Sequence, residues 1–398
     1  MSEKNIDQIY ERTYAVIDLS AIRGNVESAK ASLPAGMQFC AILKCDGYGH
    51  GAPPIARELE DLVDMFGVAT IAEGYALRRN GIRKPILDLG VAPARSYRLM
   101  LEQNIMPSVF TLEQAREISA LAGSMGCAAS YMIPLDTGMG RIGIQTEEPD
   151  ALSLALEIVR FPNMKLSGVF THFASADERD KSFAELQLQR FTDFTDRMEA
   201  AGVSIPIRHA ANSAGIVEQI GTGLTMVRDG ICLYGLLPSA EVDQKRLVLT
   251  PALSWKAKLT HVKTVPAGTP ISYGSSFVTE KETEIATIPV GYGDGFPRAL
   301  SNRADVLIRG RRCRILGRVC MDQFMVDVSG LFAEVGDIVT LLGTDGTERI
   351  DLYEWADFGL FPYEVLCNIG KRVPRVYVRD GAWIGNKDIF RELYPDMS

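Results

Sequence analysis

From Ala15 to about Asp229, short apolar runs alternate with amphipathic stretches, the pattern of repeated βα units. Strands are predicted near 38–44, 65–69, 85–90, 106–110, 129–136, 166–172, 207–211 and 225–229, with helices such as Thr111 to Met125 and Ser182 to Ala201 between them. In the second of these helices Phe183, Leu186, Phe191, Phe194 and Met198 recur at helical spacing and read as a packing stripe. Eight such units within roughly 200–250 residues predict an N-terminal (β/α)8 TIM-type barrel, placed over 10–240. After Pro238 the texture changes. Ala240 to Arg246 reads as a charged linker, and from Pro251 short strands such as EIATIPV, DVLIRG, RCRILG, FMVDVSG and DIVTLLG are punctuated by Gly and Pro. This predicts a separate C-terminal all-β domain over 250–398.

Composition narrows the class. The 398 residues suffice for a sizeable core, and 46% hydrophobic with 23% charged residues suit a soluble globular protein. A net charge of −8 argues against non-specific nucleic-acid binding, and the run Arg309, Arg311, Arg312 and Arg314 reads as a solvated face. The N-terminal MSEKNIDQIYERTY lacks the apolar core of a signal peptide, and no stretch reaches the length of a membrane span, so a cytoplasmic protein is expected. Seven cysteines without a CxxC pair predict no disulfide framework. His50, His172, His209 and His261 lack metal-ligand spacing, so no metal site is predicted.

Candidate chemistry gathers at the predicted carboxyl ends of the barrel strands, where active sites of this architecture lie. Lys44 closes the first strand, Asp136 to Arg141 follow the fifth, His172 closes the sixth, Asn212 and Ser213 follow the seventh, and Arg228 to Gly230 end the eighth. Lys44 follows the apolar Ala41, Ile42 and Leu43 and meets a glycine-rich turn. Two readings are open for it: a lysine that snorkels to the rim of a sheet, or an amine whose ammonium form is disfavoured by burial and which attacks an aldehyde. Tyr48 between Gly47 and Gly49, and His50 before Gly51, lie on backbone that can approach a phosphate closely, although the spacing of a P-loop is missing. A lysine of the second kind beside a phosphate-binding loop points to pyridoxal 5'-phosphate.

The segment LKCDGYGHG closely resembles the lysine motif of alanine racemases, pyridoxal-phosphate enzymes built on a barrel plus a β domain. The resemblance extends through DTGMGRIG, GVFTHFASAD, ANSAG, VRDGICLYG, ISYGSSF, GYGDGFPR, GRVCMDQFMVDVS and PYEVLCNIGKRVPR. It implies a homodimer with composite active sites. Lys44 would hold the cofactor and act as one of two proton-transfer bases, with Tyr273 from the second subunit as the other and His172 as its hydrogen-bonding partner. Without the resemblance, Tyr273 reads as a turn aromatic, and His172, taken apart from the other strand-end residues, as structural.

Arg228 resembles the arginine that donates to the cofactor's pyridine nitrogen, with His209 as its partner. A guanidinium cannot readily give up its proton, so that nitrogen would stay unprotonated and the cofactor would be a weaker electron sink, favouring proton return over transamination. An ion pair with Asp229 is disfavoured, because neighbouring strand residues point to opposite faces. The resemblance further implies Arg141 and the Met321 amide, the latter in trans, at the substrate carboxylate. At the phosphate it implies the hydroxyls of Tyr48, Ser213 and Tyr363 and the amides of Ser213, Gly230 and Ile231. Asp177, Arg298 and Arg318 resemble charges along a substrate corridor, each equally readable as a surface ion pair. Cys320 reads as a small buried hydrophobe.

One position departs from the pattern. Seven residues before Arg141, many members of that family carry a lysine, often carbamylated, and this chain has Pro134. The expected activity is interconversion of L-alanine and D-alanine, supplying D-alanine for peptidoglycan. Related racemases that act on serine also lack that lysine, which makes serine or a broader range an alternative. A basic amino-acid decarboxylase of the same architecture is disfavoured by Arg228 and Tyr273, and a non-catalytic pyridoxal-phosphate carrier by the β domain.

Overall fold

The computed structural model describes residue 10 and residues 12–389. Most of the MSEKNIDQIYERTY stretch and the end of the predicted β domain therefore lie outside the described residues. The chain divides into a unit of residues 21–47 and 52–250 and a unit of residues 1–20, 48–51 and 251–398.

The first unit is a closed parallel barrel of the strands Gln38–Ile42, Met65–Val68, Ile86–Asp88, Ile105–Met106, Ala129–Asp136, Met164–Phe170, Arg208–His209 and Met226–Asp229. The last of these pairs with the first, and pairing then runs in chain order to Ile105–Met106. A parallel bridge from Ser108 to Met132 carries the ladder into the second half. The amides of Thr225 and Arg228 close it by donating to the carbonyls of Arg208 and Ala211. Closure leaves no exposed edge, and Phe39 to Leu43 are all buried, as a strand covered on both faces requires.

Local chemistry starts the helices between these strands. Capping boxes formed by Thr70 with Glu73 and by Thr111 with Gln114 open Ile71–Arg79 and Leu112–Met125. Helix Ser182–Ala200 differs from expectation. It buries Ala184, Gln187, Phe191, Phe194, Thr195 and Met198, while Phe183 and Leu186 are exposed. The inward face is set one residue further along than the aromatic residues suggest, because small Ala184 and a hydrogen-bonded Gln187 occupy its first two positions.

The second unit is built on a mostly antiparallel sheet, and it contains a strand that the sequence pattern assigned to the barrel range. Thr13–Asp18 runs antiparallel to Leu253–Lys258 and parallel to Arg375–Arg379. Five of its six residues are buried, so it needs partners on both sides and finds them far away in sequence. In this unit's core Phe296 stacks on Phe324 with centroids 4.7 Å apart, and Trp255 and Trp355 meet Phe296 edge-on at 5.9 and 5.5 Å. The arginine run is a surface of ion pairs: Arg309 with Asp337, Arg312 with Glu348 and Glu354, and Arg314 with Asp305. Among the described residues no helix is long and apolar enough to cross a membrane, and no group of side chains could hold a metal ion.

Candidate active site

Strand Gln38–Ile42 leads through Leu43 to half-buried Lys44. The four residues that follow are all left-handed: Cys45 (φ 55°), Asp46 (φ 52°), Gly47 (φ 65°) and Tyr48 (φ 50°). Such a turn costs L-residues roughly 1–2 kcal/mol each, so specific bonds must hold it. The Gly47 amide donates to the Leu43 carbonyl at 2.9 Å, and the Asp46 carboxylate accepts from the Ala52 amide at 3.0 Å. Glu73 does most. Its Oε1 accepts from the Cys45 amide at 2.6 Å, and its Oε2 from the Ala69 and Thr70 amides at 2.9 and 3.2 Å. One carboxylate thus ties the turn after the first barrel strand to the turn after the second.

Glu73 was not among the residues marked in the sequence. Glu73→Ala is expected to lower stability by about 1–3 kcal/mol, because it strips the acceptor from three amides. The denaturant midpoint checks this; an unchanged midpoint would mean that the left-handed turn holds without the carboxylate.

At the end of the last barrel strand, Arg228 is buried and its two terminal nitrogens are saturated. One reaches His209 Nδ1 at 2.7 Å and the His209 carbonyl at 3.2 Å. The other donates to the carbonyls of Thr171 and Ala210 at 2.7 and 3.0 Å and lies 3.3 Å from His172 Nδ1. Its Nε is left without a partner among the described residues. Burial pushes Arg228 down to about 10, so it remains charged near neutrality. Burial also pushes His172 and His209 well below the usual imidazole range, reinforced in both by Arg228 and in His172 by Arg141 and Lys44. Both rings are therefore neutral, and a ring that accepts at Nδ1 carries its proton on Nε2. Phe170 stacks on His209 at 5.1 Å and lies under the Arg228 guanidinium at 5.6 Å.

The neighbouring Asp229 turns elsewhere, accepting from the Ser213 hydroxyl at 2.7 Å. The Gly230 amide donates to Ser213 Oγ at 2.9 Å. Ser213 opens helix Ser213–Glu218 and Ile231 opens the turn Ile231–Tyr234, so both amides stand where a helical turn offers no acceptor of its own.

Arg141 is exposed on the loop after Ala129–Asp136, where Asp136 Oδ1 accepts from the Gly138 and Gly140 amides, both at 3.0 Å. Pro134 is buried in that strand. No hydrogen bond or ion pair holds Arg141 among the described residues. A second polar residue escaped the sequence reading: buried Gln187 donates to the His172 carbonyl at 3.0 Å and accepts from the Ala174 amide at 2.9 Å, fixing the backbone on both sides of Phe173. An aromatic stripe in sequence concealed it. Lys44, Arg141 and Arg228 all bear electrostatically on His172, so this end of the barrel is a place for anions.

In the second unit, Tyr273 stands 68% exposed on a strained turn. Ser272 (φ 66°, ψ −177°) occupies a region that is essentially glycine's, a conformation worth about 1–3 kcal/mol of strain. The Ser272 hydroxyl holds it by donating to the Arg318 carbonyl at 2.6 Å, and Gly317 makes room, since a Cβ there would lie 2.5 Å from that of Ser272. Tyr273, exposed Met321, Cys320 and Gln323 line a cavity of about 650 Å³. Cys320 is half-buried at its wall, not the buried hydrophobe expected, because it flanks this open turn and lies 3.6 Å from the Ser272 hydroxyl.

The GYGDG segment fixes the Met321 backbone. The amides of Tyr292 and Gly293 donate to the Cys320 and Met321 carbonyls at 3.0 and 2.8 Å, and a Cβ on Gly291 would lie 2.2 Å from the Cys320 oxygen. Asp294, fully buried, anchors the segment between Arg12 at 2.6 Å and Arg372 at 2.8 Å. Arg375 donates to the carbonyls of Gly49, Ile369, Gly370 and Val373, which joins the 48–51 segment to the end of helix Pro362–Asn368. The rings of Tyr48 and Tyr363 come within 6.2 Å. Neither Asp294 nor Arg375 stands out in the sequence, because Asp294 pairs with Arg12 and Arg372 and Arg375 reaches Gly49, all remote in the chain. Asp177, Arg298 and Arg318 form no ion pair among the described residues.

Comparison with known proteins agrees in both halves. The family models described as alanine racemase N-terminal domain and alanine racemase C-terminal domain match residues 17–238 and 252–377. Alanine racemases of Desulforamulus reducens and Desulfovibrio desulfuricans are 43% and 45% identical over 92% of this chain, and the matches cover 99% and 98% of those proteins. A solved alanine racemase of Clostridium difficile superposes with a TM-score of 0.91 at 39% identity, covering 95% of this chain and 99% of that one. One from Bacillus anthracis, solved with bound L-Ala-P, gives 0.90 at 37% identity over 96% and 99%.

Proposed function

Because the chain belongs to the alanine racemase family, we propose that it interconverts L-alanine and D-alanine with pyridoxal 5'-phosphate, using Lys44 and the second subunit's copy of Tyr273 as bases. The single observation that carries this reading is Arg228. Its outer nitrogens are held by carbonyls and neutral imidazoles and its Nε is left over, which suits a donor to an unprotonated ring nitrogen. A decarboxylase expected to place a carboxylate there would not be built this way.

The donor set fits the cofactor. Lys44 would hold it covalently, Arg228 backed by His209 would face the ring nitrogen, and the hydroxyls of Tyr48, Ser213 and Tyr363 with the amides of Ser213 and Ile231 would take the phosphate, whereas the Gly230 amide, expected there too, is instead spent on Ser213 Oγ. Arg141 and the Met321 amide would take the substrate carboxylate. When bound, the cofactor supplies an electron-withdrawing ring that acidifies the substrate's Cα–H. One base removes that proton from one face, and the other base delivers a proton to the opposite face. A free tyrosine has a pKa near ~10 and needs help to act as a base. With His172 Nδ1 turned to Arg228, its Nε2–H can donate to the Tyr273 oxygen and favour the phenolate.

The exposure of Tyr273 and Met321 in a single chain supports a homodimer in which each subunit completes its partner's site. A cytoplasmic role in supplying D-alanine for peptidoglycan follows from the same reading. Mixing subunits tests the arrangement. Lys44→Ala and Tyr273→Phe chains, each inactive alone, should recover about a quarter of wild-type activity when randomly reassorted into dimers, since half the dimers regain one intact site. No recovery, with mixed dimers demonstrably formed, would overturn action in trans.

A further inference from the structure

We propose that Asp229 is a proton-linked positioning residue for the cofactor phosphate: it must hold a proton before the Ser213 hydroxyl can donate to that phosphate, so cofactor binding takes up a proton. The inference rests on the proposed placement of the phosphate at Ser213.

A hydroxyl has one proton to give. Here Ser213 gives it to Asp229 Oδ1 at 2.7 Å, while its oxygen accepts from the Gly230 amide at 2.9 Å. Only a lone pair then remains to face an incoming phosphate, itself an array of acceptors. Adding a proton to Asp229 reverses the chain of bonds. The carboxylic acid donates to Ser213 Oγ, and the hydroxyl proton becomes available to the phosphate.

The surroundings favour the protonated acid. Asp229 is fully buried, and its Oδ2 has no hydrogen-bond partner among the described residues. The adjacent strand Gln38–Ile42 places Ala41 opposite it, with Cys40 at the register of Arg228. On the other flank the His209 ring is engaged by Arg228. Helix Ser213–Glu218 offers the Ser213 hydroxyl, while its Glu218 faces Lys181 at 3.5 Å. The following turn brings Cys232, a neutral thiol whose own ionisation burial and Asp229 oppose. Thus no cation among the described residues offsets a charge at Asp229. Burial pushes its carboxyl up to about 6, against the opposing pull of the Ser213 hydroxyl and the Gly230 and Cys232 amides. A phosphate brought close would raise it further, as one anion does to another.

The linkage has a definite sign. Above about pH 6 the free protein holds Asp229 ionised, so affinity for pyridoxal phosphate should fall by up to about tenfold per pH unit until the bound form also loses the proton. Calorimetric titration of apoprotein at pH 8, in buffers of different ionisation enthalpy, counts protons. Wild type should take up more with pyridoxal phosphate than with pyridoxal, the excess approaching one, and Asp229→Asn should lose that excess. Equal uptake by wild type and Asp229→Asn would overturn the proposal, because the proton would then reside elsewhere. If the variant does not fold, an infrared difference spectrum of wild-type holoenzyme at pH 8 decides: a protonated-carboxyl band supports the proposal and its absence overturns it. Pyridoxal phosphate binding no tighter than pyridoxal would instead mean that the phosphate placement is wrong, a separate failure.

Discussion

Lys44→Ala is expected to abolish the visible absorption band of lysine-bound cofactor and to lower racemisation by roughly 10³-fold or more, since a general base alone contributes about 10²–10⁴. The variant removes both the covalent attachment and one base. Its fold should survive, because the left-handed turn after Lys44 is held by the Leu43 carbonyl and by the side chains of Asp46 and Glu73. Spectrophotometry of the purified variant with added pyridoxal phosphate checks the first point and a melting curve the second. A normal band would mean that another lysine carries the cofactor.

Tyr273→Phe should behave differently. It keeps the visible band, because the cofactor contacts proposed in the barrel are untouched, and it loses roughly 10²–10⁴-fold in racemisation. The enantiomers are equal in free energy, so the loss of kcat/KM must be the same in both directions. Asymmetry appears in exchange: the enantiomer whose Cα proton faces Lys44 should still exchange with solvent, and its mirror image should not. Comparable exchange of both enantiomers in the variant would remove Tyr273 from the mechanism. Phenylalanine keeps the aromatic ring on the Ser272 turn, so the strained backbone should persist.

The barrel was legible in the sequence because strands covered on both faces are written as uninterrupted apolar runs, and Phe39 to Leu43 are buried as such a run demands. Thr13–Asp18 was not, because its partners Leu253–Lys258 and Arg375–Arg379 lie at the other end of the chain, where periodicity carries no information. Polar residues at strand ends marked Lys44, His172 and Arg228 without any family knowledge. Tyr273 could be recognised only by resemblance, since nothing in ISYGSSF announces that Ser272 would be forced to positive φ. Residues that position others were the hardest to see. Glu73 looks like a helix cap, Gln187 is concealed among phenylalanines, and Asp294 acts through Arg12 and Arg372, which local sequence cannot bring together.

Incubating the wild-type holoenzyme with L-alanine in heavy water, and separately with L-serine and L-lysine, tests the central claim most directly when chirality and deuterium at Cα are followed together. The account predicts rapid inversion of alanine, with deuterium delivered at Cα on turnover, and slower reaction of the other two. Failure of alanine to invert or exchange would contradict the racemase assignment, and faster inversion of serine or lysine would contradict alanine as the substrate.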